Sequence, residues 1–526
     1  MSLPGFPIWE TGQGQALPPP PVYSKIQNPK SKRLMADNSQ FEAEFARIRD
    51  ALRIPRAFSD EVLAEADSVA SRNPLQDPSR DLSMLEIPFI TLDPPGSLDL
   101  DQAFHADRLD DGYRVEYAIA DVGFFVDNHS AIEREAWRRG STFYSPDLRT
   151  PLYPPQISEG AASLLPAEAR PAIVFSFILD RHATPRSCGI ARGVVRSRAQ
   201  LSYPEVSLHL AREKERANSG HLAGLEWSNS LVLLQEIGVK RQSLEIARGG
   251  ISLPIPAQHL ERWTSALAGY RLIFEESSEV EGWNAQISLM TGMASASLMS
   301  ARRVGLLRAL DPPRPDRLRA LRLTAQALDI AWPAKMDYDD FVRGLNTADP
   351  KQVALLHQAA KAMGNARYVA FDGEVPGNSH HAALAADYAH VTAPLRRLAD
   401  RYVLDLLIEL SRGSRPSVES RERLTRLPQV MRSAEYRAAM LESEIINFAE
   451  ARLLRPRVGE VFTGLVINRR QDGIEVQIAD PPIRAPIRFP PTRKLRPALG
   501  EQLTLRLEAA DPAMRSIRFA PVETDG

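Results

Sequence analysis

Thr91-Leu-Asp-Pro-Pro-Gly-Ser-Leu-Asp-Leu-Asp-Gln-Ala103 is the stretch on which the reading of this chain turns. It places Asp93, Asp99 and Asp101 within nine residues, with Pro94, Pro95 and Gly96 between the first acid and the other two. Proline removes a backbone donor and fixes φ, so the segment cannot be a continuous helix. It is expected as a loop that folds back and brings three carboxylates together. Converging like charges repel, and a hard cation relieves the repulsion. Carboxylate oxygens suit Mg²⁺ or Mn²⁺, and Mg²⁺ takes few carboxylates while keeping room for substrate phosphate oxygens. The stretch points to a metal site for phosphoryl chemistry, against the alternative that these aspartates only populate turns. A calcium EF-hand does not fit: counted from Asp99, the positions that need Gly and Glu hold Phe104 and Asp110. Nor does an aspartyl-phosphate enzyme, whose apolar strand would lead straight into the nucleophile.

Outward from the loop, Ala103–Arg108 and Tyr113–Ala120 read as a hairpin around Asp111-Gly112, with Val115, Tyr117 and Ile119 inward. The acids then sit at the mouth of a sheet. Ser130 to Glu133 is a capping box, and Gly140 ends the helix it opens. Ile173–Leu179 reads as a buried strand, and residues 200–250 as mostly helical. Between 284 and 310 a helix runs through Ile287 to Ala294, where Gly292, Ala294 and Ala296 would allow close helix packing, and another covers Pro315 to Leu328.

The second informative stretch runs from His380 to Asp400. Pro394 suits the first turn of a helix whose buried stripe is Leu395, Leu398, Tyr402, Leu406 and Leu410. Arg396 and Asp400 have the spacing of a helical ion pair. Alternatively, Arg396 at a helix N-terminus can reach a phosphate. His381 and His390 have no cysteine pair nearby and do not read as zinc ligands. A long helix follows with Met440, Leu441, Ile445, Phe448 and Leu453 inward. From Val458 the period changes to short strands, Glu460–Ile467, Ile474–Ala479, Leu503–Glu508 and Ser516–Phe519, split by Gly464, Gly473 and Gly500. This is a small barrel, made basic by Arg484, Arg488, Arg493, Lys494 and Arg496.

Before the acidic loop, residues 1–38 hold Leu17-Pro-Pro-Pro-Pro-Val22 and Lys30-Ser-Lys-Arg33 and read as a disordered or extended tail. Phe41, Phe45, Ile48 and Leu52 mark one helix, broken at Pro55. Val62, Leu63, Ala66 and Val69 mark a second, capped by Ser59 or Asp60. The pair fits either a helix-turn-helix module or a cap on the main domain. The 526 residues leave room for about two to four domains. The single Cys188 excludes an intrachain disulfide and fits a reducing cytosol. No run is apolar enough for a membrane helix, and no signal-peptide core opens the chain. With a net charge of −1, any nucleic-acid surface must be a local basic channel.

The acidic loop resembles the catalytic motif of the ribonuclease II (RNB) family of exoribonucleases, a pattern of four aspartates. Asp93, Asp99 and Asp101 match the first three, and Gln102 stands at the fourth. Tyr388-Ala-His-Val-Thr-Ala-Pro-Leu-Arg-Arg-Leu-Ala-Asp400 resembles the family's Y-x-H-x-T-S-P-I-R-R-Y-x-D motif. The family's pattern of acids near Leu289 and Met290 is absent, and the helical stretch before residue 81 replaces its two N-terminal OB-type barrels.

The resemblance implies an α+β chain: a tail (1–38), a small helical module (39–80), an RNB catalytic domain of mixed sheet surrounded by helices (81–456) and a C-terminal OB-type barrel (457–526). It implies a 3′→5′ exoribonuclease that degrades single-stranded RNA processively to nucleoside 5′-monophosphates. Asp93, Asp99 and Asp101 would hold Mg²⁺ (or Mn²⁺), with Asp101 and Arg396 catalytic. Tyr144, Tyr203, His390, Arg397 and Glu442 would contact RNA. Asp121 resembles the end of the family's IAD strand and is expected to be structural. A cytoplasmic monomer is expected. The alternative is an RNB-fold RNA-binding or regulatory protein with weakened catalysis, motivated by Gln102 and the missing acids. A DNA-binding helix-turn-helix regulator is the third reading.

Overall fold

The strands flanking the acidic loop curl into a closed barrel, and the rest of the chain is arranged around it. The structure, a computed structural model, describes residues 38–219, 225–251, 257–263, 269–275, 278–346, 349–470, 472–489 and 497–522. Helices α1 (Asn38–Ala51) and α2 (Asp60–Ala70) lead into strands β1 (Phe89–Asp93), β2 (Gln102–Leu109) and β3 (Gly112–Ala120). Next come α3 (Ala131–Arg139), the short strands β4 (Phe143–Tyr144) and β5 (Arg149–Thr150), and the long strands β6 (Ala169–Leu179) and β7 (Pro185–Ser202). Helices α4 (Tyr203–Ser219) and α5 (Ser228–Ala247) precede the hairpin of β8 (Ala257–Trp263) and β9 (Gly269–Glu275). The order continues α6 (Glu279–Arg302), β10 (Val304–Ala309), α7 (Pro315–Ala327), α8 (Tyr338–Arg343), α9 (Pro350–Met363) and β11 (Arg367–Asp372). After α10 (Leu398–Ser411) and α11 (Val418–Leu454) come β12 (Val461–Arg470), β13 (Gly473–Ile478), β14 (Ile483–Arg488), β15 (Gln502–Asp511) and β16 (Ser516–Pro521).

The barrel runs β1-β2-β3-β6-β7 and closes where β1 lies parallel to β7; every other pairing in it is antiparallel. Closure leaves no edge strand. Val115, Tyr117 and Ile119 are buried as expected, but so are Glu116, Ala118 and Ala120. A sheet with one wet face would alternate; here α5 covers β2 and α10 covers β7 from outside. The hairpin turn is one residue earlier than the sequence suggests. Leu109 pairs with Gly112, so Asp110 and Asp111 form the loop. Gly112 has φ +137°, and a Cβ there would lie 2.0 Å from the Leu179 carbonyl oxygen, so only glycine fits.

The two leading helices cover different cores. Phe41, Phe45 and Ile48 of α1 pack with Tyr270, Phe448 and the C-terminal strands. Val62, Ala66 and Val69 of α2 join the cluster of the central barrel. Ser59 caps α2 by accepting from the Val62 N–H at 3.4 Å. In α3, Ser130 accepts from the Glu133 N–H at 3.1 Å, and Glu133 reaches back to the His129 N–H at 2.5 Å.

The C-terminal sheet has the order β14-β13-β12-β15-β16, and its edge strands β14 and β16 approach each other into a nearly closed barrel. It is fastened to the rest of the chain by side chains from three helices. Gln358 of α9 donates to the Ile467 carbonyl at 2.8 Å, and Lys361 pairs with Glu475 at 2.7 Å. Arg515 bonds Glu44 of α1 at 2.9 Å and also pairs with Glu444 of α11. Three sequence expectations change here. β14, which contains Pro486, carried no clear strand signal. Gly464 lies inside β12, where a Cβ would stand 2.6 Å from Leu505, and does not end a strand. Arg484 is turned inward over the Phe274 ring and bonds Gln477 at 3.2 Å, while Arg488 stays exposed. Arg493, Lys494 and Arg496, like the tail at 1–37, lie outside the described residues. Among the described residues, no helix is long and apolar enough to cross a membrane.

Candidate active site

β1 ends on Asp93, which pairs with Ser202 at the end of β7. β2 runs antiparallel to β1 and begins at Gln102. The Pro-Pro-Gly loop between them therefore returns to the same barrel mouth, and Asp93, Asp99 and Asp101 share it. The backbone around Asp101 is fixed from several sides. The Leu100 N–H donates to Ser163 Oγ at 2.9 Å, the Leu164 N–H to the Leu100 carbonyl at 3.0 Å, and the Ala120 N–H to the Asp101 carbonyl at 2.9 Å. Asp101 itself is 3 % exposed.

Across the mouth lies the segment before α10. The helix starts at Leu398, so Pro394 sits in a preceding turn and not in the first helical turn as the sequence suggested. The turn is closed by the Arg397 N–H donating to the Ala393 carbonyl at 2.9 Å. Asp400 is fully buried and caps it, accepting from the Ala393 N–H at 2.8 Å. The expected ion pair is also reassigned. Asp400 is taken by Arg397 at 2.7 Å, and Arg396 turns to Asp101, its Nε 3.2 Å from Oδ2. The Leu395 N–H donates to the other Asp101 oxygen at 2.8 Å. Asp101 thus receives one backbone and one charged donor, both from the second motif.

The same segment positions Tyr144. The Thr142 N–H donates to the Arg396 carbonyl at 3.0 Å, and the Leu398 N–H to the Gly140 carbonyl at 3.1 Å. Two residues on, Tyr144 projects from β4, 54 % exposed, opposite Arg149 of β5. Arg149 pairs with both Asp99 and Glu159. No sequence signal marked Arg149, because its pairing with Tyr144 is made only by the β4–β5 turn.

Burial pushes the Asp93 and Asp101 carboxyls up to about 7; the Arg396 charge opposes the shift for both, and Asp99 adds to it. Tyr203, which follows Ser202 directly, is pushed up to about 12 by burial and then by the nearby Asp93 charge. His390 is held well below its ordinary value by burial and by Arg397, Arg308 and Arg396, so it is neutral; its Nδ1 lies 2.7 Å from the Tyr368 hydroxyl. Against the cost of burial, Asp400 holds the Arg397 guanidinium above its ordinary value. His390 and Arg397 are therefore both engaged inside the protein. Glu442 is exposed on α11, next to Leu441, which belongs to the cluster that includes Phe143. Asp121 is buried between Arg80 (2.8 Å) and Arg192 (3.2 Å), a structural setting. Gly292 packs against the second motif and not against a helix: a Cβ there would lie 2.1 Å from the Tyr388 ring.

Among the described residues, no three His, Cys, Asp or Glu side chains stand close enough to hold a metal by themselves. Asp99 faces Arg149, and Asp101 faces Arg396. The donor set still suits a hard cation of the Mg²⁺ kind, which needs one or two carboxylates and completes its shell with water and substrate phosphate.

Residues 79–413 match the RNB domain family, and residues 460–522 match the RNase II-type exonuclease C-terminal S1 domain. The chain belongs to the RNB family. Ribonuclease R of Aquifex aeolicus is 25 % identical over 475 residues, 87 % of this chain; the chain spans 63 % of that enzyme's length. Mycoplasma genitalium RNase R, solved in complex with ribose-methylated single-stranded RNA, superposes with a TM-score of 0.80 at 19 % identity, covering 93 % of this chain and 79 % of that one. Yeast Ssd1, described as a pseudonuclease, superposes with a TM-score of 0.59 at 16 % identity, covering 82 % and 56 %. The fold is thus shared by a ribonuclease and by a protein named for lacking the activity.

Proposed function

We propose that this protein is a 3′→5′ exoribonuclease that hydrolyses single-stranded RNA processively to nucleoside 5′-monophosphates. The observation that carries the reading is the junction of the two motifs: a buried Asp101 held by the Leu395 N–H and the Arg396 guanidinium at a barrel mouth shared with Asp93 and Asp99. Asp93 and Asp101, with Asp99 beside them, would hold the divalent cation, for which we propose Mg²⁺. When bound, it supplies Lewis-acid polarisation of the phosphate and of the attacking water. The chain's own residues do the rest. Arg396 keeps 41 % of its side chain exposed while its Nε rests on Asp101, so its guanidinium is aimed and still accessible to a phosphate. A charge fixed there stabilises negative charge developing on the phosphoryl oxygens. Tyr144 offers a sequence-tolerant face for a terminal base, and Tyr203 lines the Asp93 side. Arg397 braces the Arg396 turn through Asp400, while His390 lies against Tyr368. Glu442 remains a candidate for the terminal nucleotide.

We further propose the division into a helical module (39–80), a catalytic domain (81–456) and an RNA-binding barrel (457–526), working as a cytoplasmic monomer. The lone Cys188 supports the compartment. The test is a 5′-labelled single-stranded RNA with Mg²⁺, beside EDTA and Asp101→Asn controls. A ladder shortening from the 3′ end and absent from both controls supports the reading. Intact RNA with binding retained favours the second reading, a nuclease-fold RNA-binding protein. Two observations motivate that one: Gln102 at an acid position, and the internal pairing of Asp99 with Arg149.

A further inference from the structure

Gln102 adjoins Asp101, the most buried of the three loop acids, and both ends of its side-chain amide are engaged by the protein. Its Nε2 donates to the Thr392 carbonyl, in the segment that leads to Arg396. Its Oε1 accepts from the Tyr117 hydroxyl at 3.2 Å, and that hydroxyl lies 2.7 Å from Ser288 Oγ of α6. Tyr117 is buried in the barrel wall. The Tyr117 hydroxyl has one proton and gives it to Gln102, so Ser288 donates to Tyr117, Tyr117 to Gln102, and Gln102 to Thr392. The middle member must accept and donate at once without charge. An amide does this; a carboxylate has no hydrogen to give and would face a carbonyl oxygen. Together with the Asp101 bonds to Leu395 and Arg396, this fastens the Arg396 turn to the barrel at two adjacent residues, 101 and 102.

We propose that Gln102 is a positioning residue that sets the Arg396 turn against the barrel mouth, and that it is not a weakened metal ligand. The inference deepens the exoribonuclease reading and rests on it for its kinetic part. A misplacement of about 1 Å at such a site costs up to ~10²-fold in rate.

The test compares the full-length wild type with Gln102→Glu, which keeps the shape and loses the donor, and Gln102→Leu, which loses both bonds. Three quantities are read: kcat and KM on single-stranded RNA, Mn²⁺ affinity by electron paramagnetic resonance, and hydrogen exchange of the peptide spanning 391–397. The expected result is kcat lower by about tenfold or more in both variants, with KM within about twofold. Mn²⁺ affinity should stay unchanged, and exchange of 391–397 should be faster. A higher kcat or tighter Mn²⁺ binding in Gln102→Glu would overturn the proposal, as would unchanged exchange in Gln102→Leu. If the wild type cleaves no RNA, the exoribonuclease reading fails, and the exchange measurement alone still decides whether Gln102 braces the turn. If Gln102→Leu does not fold, Gln102→Glu carries all three readouts.

Discussion

Arg396→Ala is the perturbation that reaches most of the site at once. The guanidinium lies 3.2 Å from Asp101 and is the strongest charge opposing the upward shift of both Asp93 and Asp101. Two effects follow from its removal. A fixed positive group no longer meets the charge developing on the phosphoryl oxygens, which costs about 10²–10³-fold in kcat, or ~3–4 kcal/mol of barrier. Both carboxyls, already near 7, then rise further, because burial loses its main opposing charge and only the Leu395 N–H bond to Asp101 still counters it there. The reaction needs them ionised, so the acid limb of the kcat–pH profile moves to higher pH. Arg396→Lys keeps a charge but not the planar fork, and falls between the two. The assay is single-turnover 3′-trimming of a labelled RNA from pH 5.5 to 9. If Arg396→Ala keeps kcat within about threefold, the guanidinium does not act on the transition state. An acid limb that stays in place or moves down refutes the electrostatic coupling.

Three more outcomes are expected. In EDTA, stability to urea should fall from pH 5 to pH 8. Asp101 binds its proton more tightly folded (about 7) than at its ordinary 3.8, so stability falls as pH rises from 3.8 and levels off above about 7, by ~4 kcal/mol at most, of which roughly 3 falls above pH 5. Asp101→Asn should flatten that slope, and a parallel curve would contradict the buried assignment. Tyr144→Ala should weaken RNA binding by roughly tenfold, from ~1–3 kcal/mol of lost stacking, and leave the melting temperature nearly unchanged because the ring is half-exposed. Phe45→Ala should cost about 3–5 kcal/mol and loosen the C-terminal barrel first, read as earlier proteolysis there, because Phe45 packs with Tyr270 and Phe448 in the cluster that joins them.

Much of this chain is written in local pattern. Proline and glycine between the acids force a loop, alternation gives β2 and β3, and the stripe from Leu398 to Leu410 gives α10. Four residues singled out from the sequence, Asp93, Asp99, Asp101 and Arg396, come to the same barrel mouth. What local spacing could not supply was the pairing. Asp400 lies four residues from Arg396, yet it takes Arg397, because the helix begins only at Leu398 and helical i,i+4 spacing does not extend back to Arg396. Arg396 and Asp101 meet across 295 residues, and Gln102 meets Thr392 across 290. Arg149 reaches Asp99 through a turn with no motif. The parallel closure of β1 on β7 is likewise invisible in either strand. The sequence by itself determined which chemical groups are present and which short elements carry them, since both follow from composition and period. Only the tertiary structure decided which acid faces which arginine. In a buried site, that choice is made by the desolvation and hydrogen-bond geometry of distant segments packed together.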